Sequence, residues 1–223
     1  MITTSGKTVE RALASKGISD DTIYTLVRTA LQPLAIKGGG VVLDVGCGTG
    51  ALRGYLKDAA VSYEGADVVR FPGFPDDCVF HSINLDAQRL EVPGESVDAA
   101  VAVETIEHIE NPRALGRELA RVVKPGGIVI ITTPNCLSLL SKLTLVVKNQ
   151  FNAFVEPCYP AHITALVETD LIRILKEAGL VDAQASYSNY GRIPGTAWHW
   201  PGSIFRGRLF SDTILVAARK PGK

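Results

Sequence analysis

Three groups of residues in this chain are spaced for chemistry. The first is a glycine turn. Val41 to Val45 are apolar but for Asp44, Gly46, Gly48 and Gly50 follow at once, and Ala51, Leu52, Tyr55 and Leu56 come next. A buried strand emptying into glycines and then a helix is a nucleotide-binding pattern, because glycine lets a ligand approach the backbone and adopts angles that other residues avoid. A helix beginning near Thr49 would aim free N–H groups into the same space. The second group is the acids Asp67, Asp86 and Glu104, each closing a short strand-like run. Asp67 lies about twenty residues past the turn, where a carboxylate accepts ribose hydroxyls. The third is Glu104-Thr105-Ile106-Glu107-His108 with His162 further on, a set of proton acceptors.

The frame for these residues is an alternation of strand and helix. Ser19-Asp20-Asp21 should cap a helix carrying Ile23, Leu26, Val27, Ala30, Leu31 and Leu34 that packs on the sheet or lids the ligand, and Gly38-Gly39-Gly40 breaks it. Strands are expected at Val61–Asp67, Cys78–Leu85 and Val97–Val103. Asn111-Pro112 caps the next helix, which Lys124-Pro125-Gly126-Gly127 ends before a strand at Ile128–Thr133. This alternation implies a parallel sheet with helices on both faces and ligands at the strands' carboxyl ends. Beyond Pro134-Asn135 an insertion (137–165) begins with the amphipathic segment Leu137–Val147. A helix from Thr169-Asp170 and strands at Val181–Tyr187 and Thr213–Ala218 close the chain, separated by an aromatic loop at 187–211.

Composition narrows the class. In 223 residues, 46% hydrophobic and 21% charged, one α/β domain spanning 1–223 is expected. Lys+Arg and Asp+Glu are 23 each, so no global field draws nucleic acid or an anionic membrane. Cys47, Cys78, Cys136 and Cys158 form no CxxC pair, which argues for a reducing compartment and against a thiolate metal site. With no signal-like apolar core in MITTSGKTVERA and no run long enough to span a bilayer, a cytoplasmic protein is expected.

VLDVGCGTG at Val42 to Gly50, the acid of EGAD at Asp67, NLDAQRLEVPGESVDAAVAVETIEHI from Asn84 to Ile109 and KPGGIVIITTPN from Lys124 to Asn135 together resemble the class I S-adenosylmethionine-dependent methyltransferases. SDTILVAARK at 211–220 is similar to that family's closing strand, and ETIEHIENP is most similar to the ubiquinone-biosynthesis O-methyltransferases and to glycan- and natural-product-modifying relatives. The resemblance implies a single Rossmann-like, seven-stranded, mostly parallel sheet with its last strand antiparallel and a lid insertion. It implies S-adenosylmethionine as donor and S-adenosylhomocysteine as product. Gly46, Gly48 and Gly50, with Cys47 among them, would line the methionine part, and Asp44 would organise the turn and the cofactor's ammonium. Asp67, beside Val68, would accept the ribose hydroxyls, Asp86 with Leu85 would hold the adenine edge, and Glu104 would sit beside the cofactor. GCGTG after Asp44, with no completed GxGxxG, favours this cofactor over NAD.

Methyl transfer needs a nucleophile in line with the sulfonium, so positioning supplies most of the acceleration and a proton acceptor the remainder. Glu104, Glu107, His108 and His162 are the candidates, with His108 expected as the acid–base or substrate-positioning residue. ExxEH with a later His also resembles the metal quartet of small-RNA 3′-terminal ribose methyltransferases, and two carboxylates with two imidazoles suit Mg²⁺, Mn²⁺ or Zn²⁺. Ala161-His162-Ile163-Thr164 lacks the aromatic residues of those enzymes, so the expectation is a site without a metal, Glu104, Glu107, His108 and His162 being the set that would hold one. Leu137–Val147 reads as a helix over the substrate cleft, with transient membrane contact as the alternative. The aromatic stretch would wall the pocket or form a homodimer contact. The expected activity is O-methylation of a small hydroxylated molecule: a phenol or quinone precursor, a sugar or a natural product. Metal-assisted 2′-O-methylation of RNA ends and a catalytically silent binding module are the alternatives; neutral charge argues against the first and the intact glycines and acids against the second.

Overall fold

The computed structural model describes residues 4–32, 40–56, 61–86 and 89–222. Two helices, α1 (Thr4–Ala14) and α2 (Asp21–Leu31), precede β1 (Val41–Val45), α3 (Leu52–Tyr55), β2 (Ser62–Asp67), β3 (Val79–Ser82) and β4 (Val97–Ala102). After these come α4 (Pro112–Val122), β5 (Val123–Pro134), α5 (Leu139–Lys148), α6 (Glu168–Glu177), β6 (Val181–Tyr187) and β7 (Thr213–Arg219). The strands form one sheet in the order β3-β2-β1-β4-β5-β7-β6, parallel except where β7 pairs with β5 and β6. This is the expected Rossmann-like sheet with its last strand antiparallel. The order reverses between β1 and β4, and a crevice opens at the carboxyl ends where crossovers diverge. β1 empties there into the glycine turn, and β4 into Glu104.

The central strands are apolar on both faces because both are covered. Leu43, Ala100 and Val129 share a core with Leu115 and Leu119 of α4 and Ile174 of α6, while Val42, Val101 and Ile130 pack with Val27 of α2 and Leu52 of α3. Asn111 caps α4 as expected, its side chain accepting from the Ala114 N–H at 3.0 Å. Asp20 occupies the N-cap position of α2 without a side-chain cap bond, and α2 packs on the sheet. Leu34, Gly38 and Gly39 lie outside the described residues.

Two expectations change. Lys124-Pro125-Gly126-Gly127 does not separate helix from strand. It is a bulge inside β5, where Val123 pairs with Val97 and Ile128 with Ala99, and Gly126 and Gly127 exchange backbone bonds with Lys220 at 2.9 Å. β3 is shorter than Cys78–Leu85, because the chain leaves the sheet after Ser82. The helix of the insertion forms, as α5. Ser141 is its buried residue, tied to the Asn152 N–H at 3.2 Å, while Val146 and Val147 face outward. The aromatic loop folds onto itself through Trp200, Phe205 and Phe210. All four cysteines are free. No helix among the described residues is long and apolar enough to cross a membrane.

Candidate active site

The cleft has two adjoining lobes that share Ser15, Gly17, Gly46, Glu104 and His108. Gly46 has a φ of +76°, and a Cβ there would stand 2.3 Å from Thr105 Oγ1, so glycine is required by conformation and by space alike. Gly48 and Gly50, with φ of +51° and +73°, are glycines for the same two reasons. A Cβ on Gly48 would meet the Gly17 carbonyl at 2.1 Å, and one on Gly50 would meet Pro75 and Phe74. The turn's N–H groups are likewise engaged: Gly46 and Cys47 donate to the Ala66 carbonyl, Gly48 to Asp67, Thr49 to Gly17 and Gly50 to Cys47. The expected set of free N–H donors at a helix start near Thr49 is therefore not formed, and α3 begins only at Leu52.

Asp44 and Asp67 remain as the turn's charged groups. Asp44 Oδ2 accepts from the Tyr63 hydroxyl at 2.7 Å, while Oδ1 is buried without a partner. Burial lifts its carboxyl to about 7, against the lowering effect of Tyr63. An orphaned carboxylate oxygen in the lobe beside Gly46 fits the ammonium of S-adenosylmethionine. A raised carboxyl keeps the unliganded fold's Asp44 neutral, so its stabilisation is full below the ordinary carboxylate value and lost as pH rises through about 7. A cation facing Oδ1 reverses that preference. Cofactor affinity is thus expected to fall as pH is lowered below about 7, by up to about tenfold per unit. Asp44→Asn should weaken binding and flatten that slope in calorimetry; a flat wild-type profile would sink the assignment.

Asp67, 8% exposed, accepts from the N–H groups of Gly48 at 2.9 Å and Val68 at 2.7 Å. It lines the first lobe with Val68, Ile83 and Leu85. Cys47 lines the second lobe, with Asp44 and His162. Asp86 is not among the lining residues: its carboxylate meets Arg11 of α1 and the Glu110 N–H instead. Arg11 and the Ser15–Gly17 turn were not singled out from sequence, since nothing local marks a residue of α1 as part of a site formed by strand ends.

Glu104 has a φ of +48°, a left-handed angle that side-chain-bearing residues seldom adopt and that marks a functional constraint. Its Oε1 is buried without a partner, and burial raises its carboxyl to about 7. A short turn, Ile106–His108, then carries Glu107 inward. Glu107 is fully buried, Oε2 accepts from Thr133 Oγ1 at 3.0 Å and Oε1 has no partner. Burial and the Glu104 charge hold it well above the carboxylate range. His108 Nδ1 lies 2.6 Å from the Ala161 carbonyl, and His162 Nδ1 lies 2.6 Å from that of Ala153. A ring nitrogen facing a carbonyl carries the proton, so each Nε2 keeps its lone pair. Burial lowers both imidazoles, His108 to about 4.

These values redistribute the expected roles. At about 4, His108 is a poor proton acceptor near neutrality, each unit of mismatch costing about 1.36 kcal/mol, whereas Glu104 at about 7 is well matched. Glu107, His108 and His162 instead place ligand atoms within 4.8 Å of one another. Imidazole nitrogens each backed by a carbonyl, with an orphaned carboxylate oxygen among them, would suit a divalent cation. Ala153 and Ala161, and not aromatic neighbours, orient the two rings. Glu104 stands outside the converging trio.

Comparison with known proteins agrees with this architecture. A methyltransferase-domain family matches residues 21–185. The mitochondrial ubiquinone biosynthesis O-methyltransferase of Rattus norvegicus is 28% identical over 178 residues, covering 71% of this chain and 49% of that protein. Its counterpart in Pseudomonas paraeruginosa is 32% identical over 108 residues, covering 44% and 45%. The chain therefore spans no more than about half the length of these relatives. A solved S-adenosylmethionine-dependent methyltransferase from Archaeoglobus fulgidus superposes with a TM-score of 0.62 at 19% identity, over 88% of this chain and 94% of that one. Phosphoethanolamine N-methyltransferase 2 of Haemonchus contortus, solved with S-adenosylmethionine, superposes with a TM-score of 0.58 at 15% identity, over 88% and 52%.

Proposed function

The chain belongs to the methyltransferase-domain family of class I S-adenosylmethionine-dependent enzymes, and on that premise we propose that it transfers the sulfonium methyl group to a hydroxyl oxygen of a small molecule. The observation that carries this reading is Glu104 at one wall of the cleft beside the Glu107–His108–His162 trio. An amine attacks with its own lone pair, but a hydroxyl is a weak nucleophile until its proton leaves. Glu104, tuned to about 7, takes that proton as the new O–CH₃ bond forms and the S–CH₃ bond breaks, and S-adenosylhomocysteine leaves as a neutral thioether. Glu107, His108 and His162 would hold a divalent cation, whose chemistry when bound is to lower the pKa of an oxygen ligand. The names of the ubiquinone-pathway relatives support oxygen as the acceptor. A phenol or quinone precursor, a sugar or a natural product meets this description. RNA ends suit the balanced charge less well, since phosphate binding needs clustered cations.

The test is transfer of labelled methyl from S-adenosylmethionine to a panel of catechols, sugar nucleotides and RNA ends, each paired with its O-methylated congener. Label entering the free hydroxyl compounds and sparing their congeners is the expected result. Label entering amines alone would exclude O-methylation, and a wild-type protein that binds the cofactor but methylates nothing would favour the silent module.

A further inference from the structure

The base-binding lobe contains a donor where the family resemblance calls for an acceptor. Asp86 is expected to take the exocyclic amine of adenine, yet its side chain is only 2% exposed and its oxygens are engaged by the protein. Oδ2 meets Arg11 Nη2 and the Thr8 hydroxyl, and Oδ1 accepts from the Glu110 N–H at 2.8 Å. Arg11 lines the lobe, is 6% exposed, and is fixed on its far side by Asp86 and by Glu110 Oε1 at 2.9 Å. Its Nε–H is buried with no hydrogen-bond partner. A buried donor without an acceptor is costly, and a ligand that supplies one removes that cost. Val68, Ile83, Leu85 and Ile109 in the same lobe offer apolar surface to the faces of a planar base.

We propose that Arg11, rather than Asp86, reads the adenine: the Arg11 Nε–H donates to an acceptor on the base edge, and Asp86 and Glu110 are positioning residues that hold the guanidinium. The inference rests on S-adenosylmethionine as the cofactor. The two readers have opposite preferences. A carboxylate accepts from the adenine amino group and rejects a 6-oxo base, which sets oxygen against oxygen. A guanidinium N–H finds acceptors on both bases.

Calorimetry with S-adenosylhomocysteine and its 6-oxo analogue S-inosylhomocysteine separates them, using wild type, Arg11→Ala and Arg11→Lys. Lysine keeps a cation for Asp86 and Glu110 but has no Nε–H, so it tests the contact without the release of α1 that alanine risks. The expected result is wild-type affinities for the two ligands within about tenfold of each other, and a loss of about tenfold or more for both in Arg11→Lys at an unchanged apo melting temperature. A wild-type preference for the adenosyl ligand beyond about tenfold overturns the assignment. So does full affinity in the Arg11 variants, or a loss in Arg11→Lys that comes with a collapse of its melting temperature. Each of these leaves the cofactor reading in place; a wild-type protein that binds neither ligand overturns that reading, and this inference with it.

Discussion

Asp67→Ala is expected to lower affinity for S-adenosylhomocysteine by more than about a hundredfold, equivalent to roughly 3 kcal/mol or more. The carboxylate has two duties in one buried place. Oδ2 accepts from the Gly48 N–H at 2.9 Å, and Oδ1 from Val68 at 2.7 Å and Val69 at 3.3 Å, so it fastens the glycine turn to the end of β2. Two oxygens provide about four acceptor sites, of which three are taken, and the remaining one, on Oδ2, is left for a ribose hydroxyl. Charge-assisted bonds of that kind contribute about 1.5–3 kcal/mol each, and each buried N–H stripped of its partner costs about 1–3 kcal/mol. Alanine therefore loses the ribose contact and loosens the turn together. Asp67→Asn keeps one acceptor oxygen but sets its NH2 against a backbone N–H on its other side, so an intermediate loss of about 1–2 kcal/mol is expected. Calorimetry with melting curves measures both variants, and unchanged affinity in Asp67→Ala would remove Asp67 from the site.

Asp67 was legible in the sequence because its signal is local: a short strand, an acid at its end and a glycine turn about twenty residues earlier. The same holds for Glu104 at the end of the continuous run Val97–Val103, and for the strand order that follows from alternation. Arg11 was not legible, since its partner Asp86 is 75 residues away and one arginine in a charged amphipathic helix resembles any other. The orientation of α5 was hidden for a related reason. Periodicity shows that Leu143, Val146 and Val147 share a character, not which surface they meet. The bulge at Gly126 and Gly127 depends on Lys220, a contact across the whole second half of the chain. The histidines were visible as residues but not as chemical states. Whether an imidazole is a base or a ligand is decided by the carbonyl behind Nδ1 and by burial, and both are tertiary facts.

That distinction sets the second large effect. His162→Ala is expected to remove a stoichiometric divalent ion and lower turnover roughly 10³-fold while cofactor affinity stays within about threefold, since loss of Lewis-acid stabilisation is a matter of several kcal/mol. The substitution is a clean one because backbone bonds hold the segment in place: the N–H groups of Ile163 and Thr164 both donate to the Glu107 carbonyl at 2.9 Å, independently of the imidazole. Glu107→Gln should show the same pair of losses, as it keeps the shape and the Thr133 contact but removes the charge a cation needs. Glu104→Gln should behave differently, retaining the ion and losing about 10²–10⁴ in turnover, because Glu104 lies outside the converging trio and is the proton acceptor of the proposed reaction. Elemental analysis of protein purified without chelator, together with turnover before and after EDTA, reads out all three variants. Metal-free wild-type protein with EDTA-insensitive turnover would reduce Glu107, His108 and His162 to a buried hydrogen-bonded cluster and leave Glu104 to activate the acceptor alone. A bound ion lost in His162→Ala and Glu107→Gln but kept in Glu104→Gln would instead divide the site into a cation holder and a base.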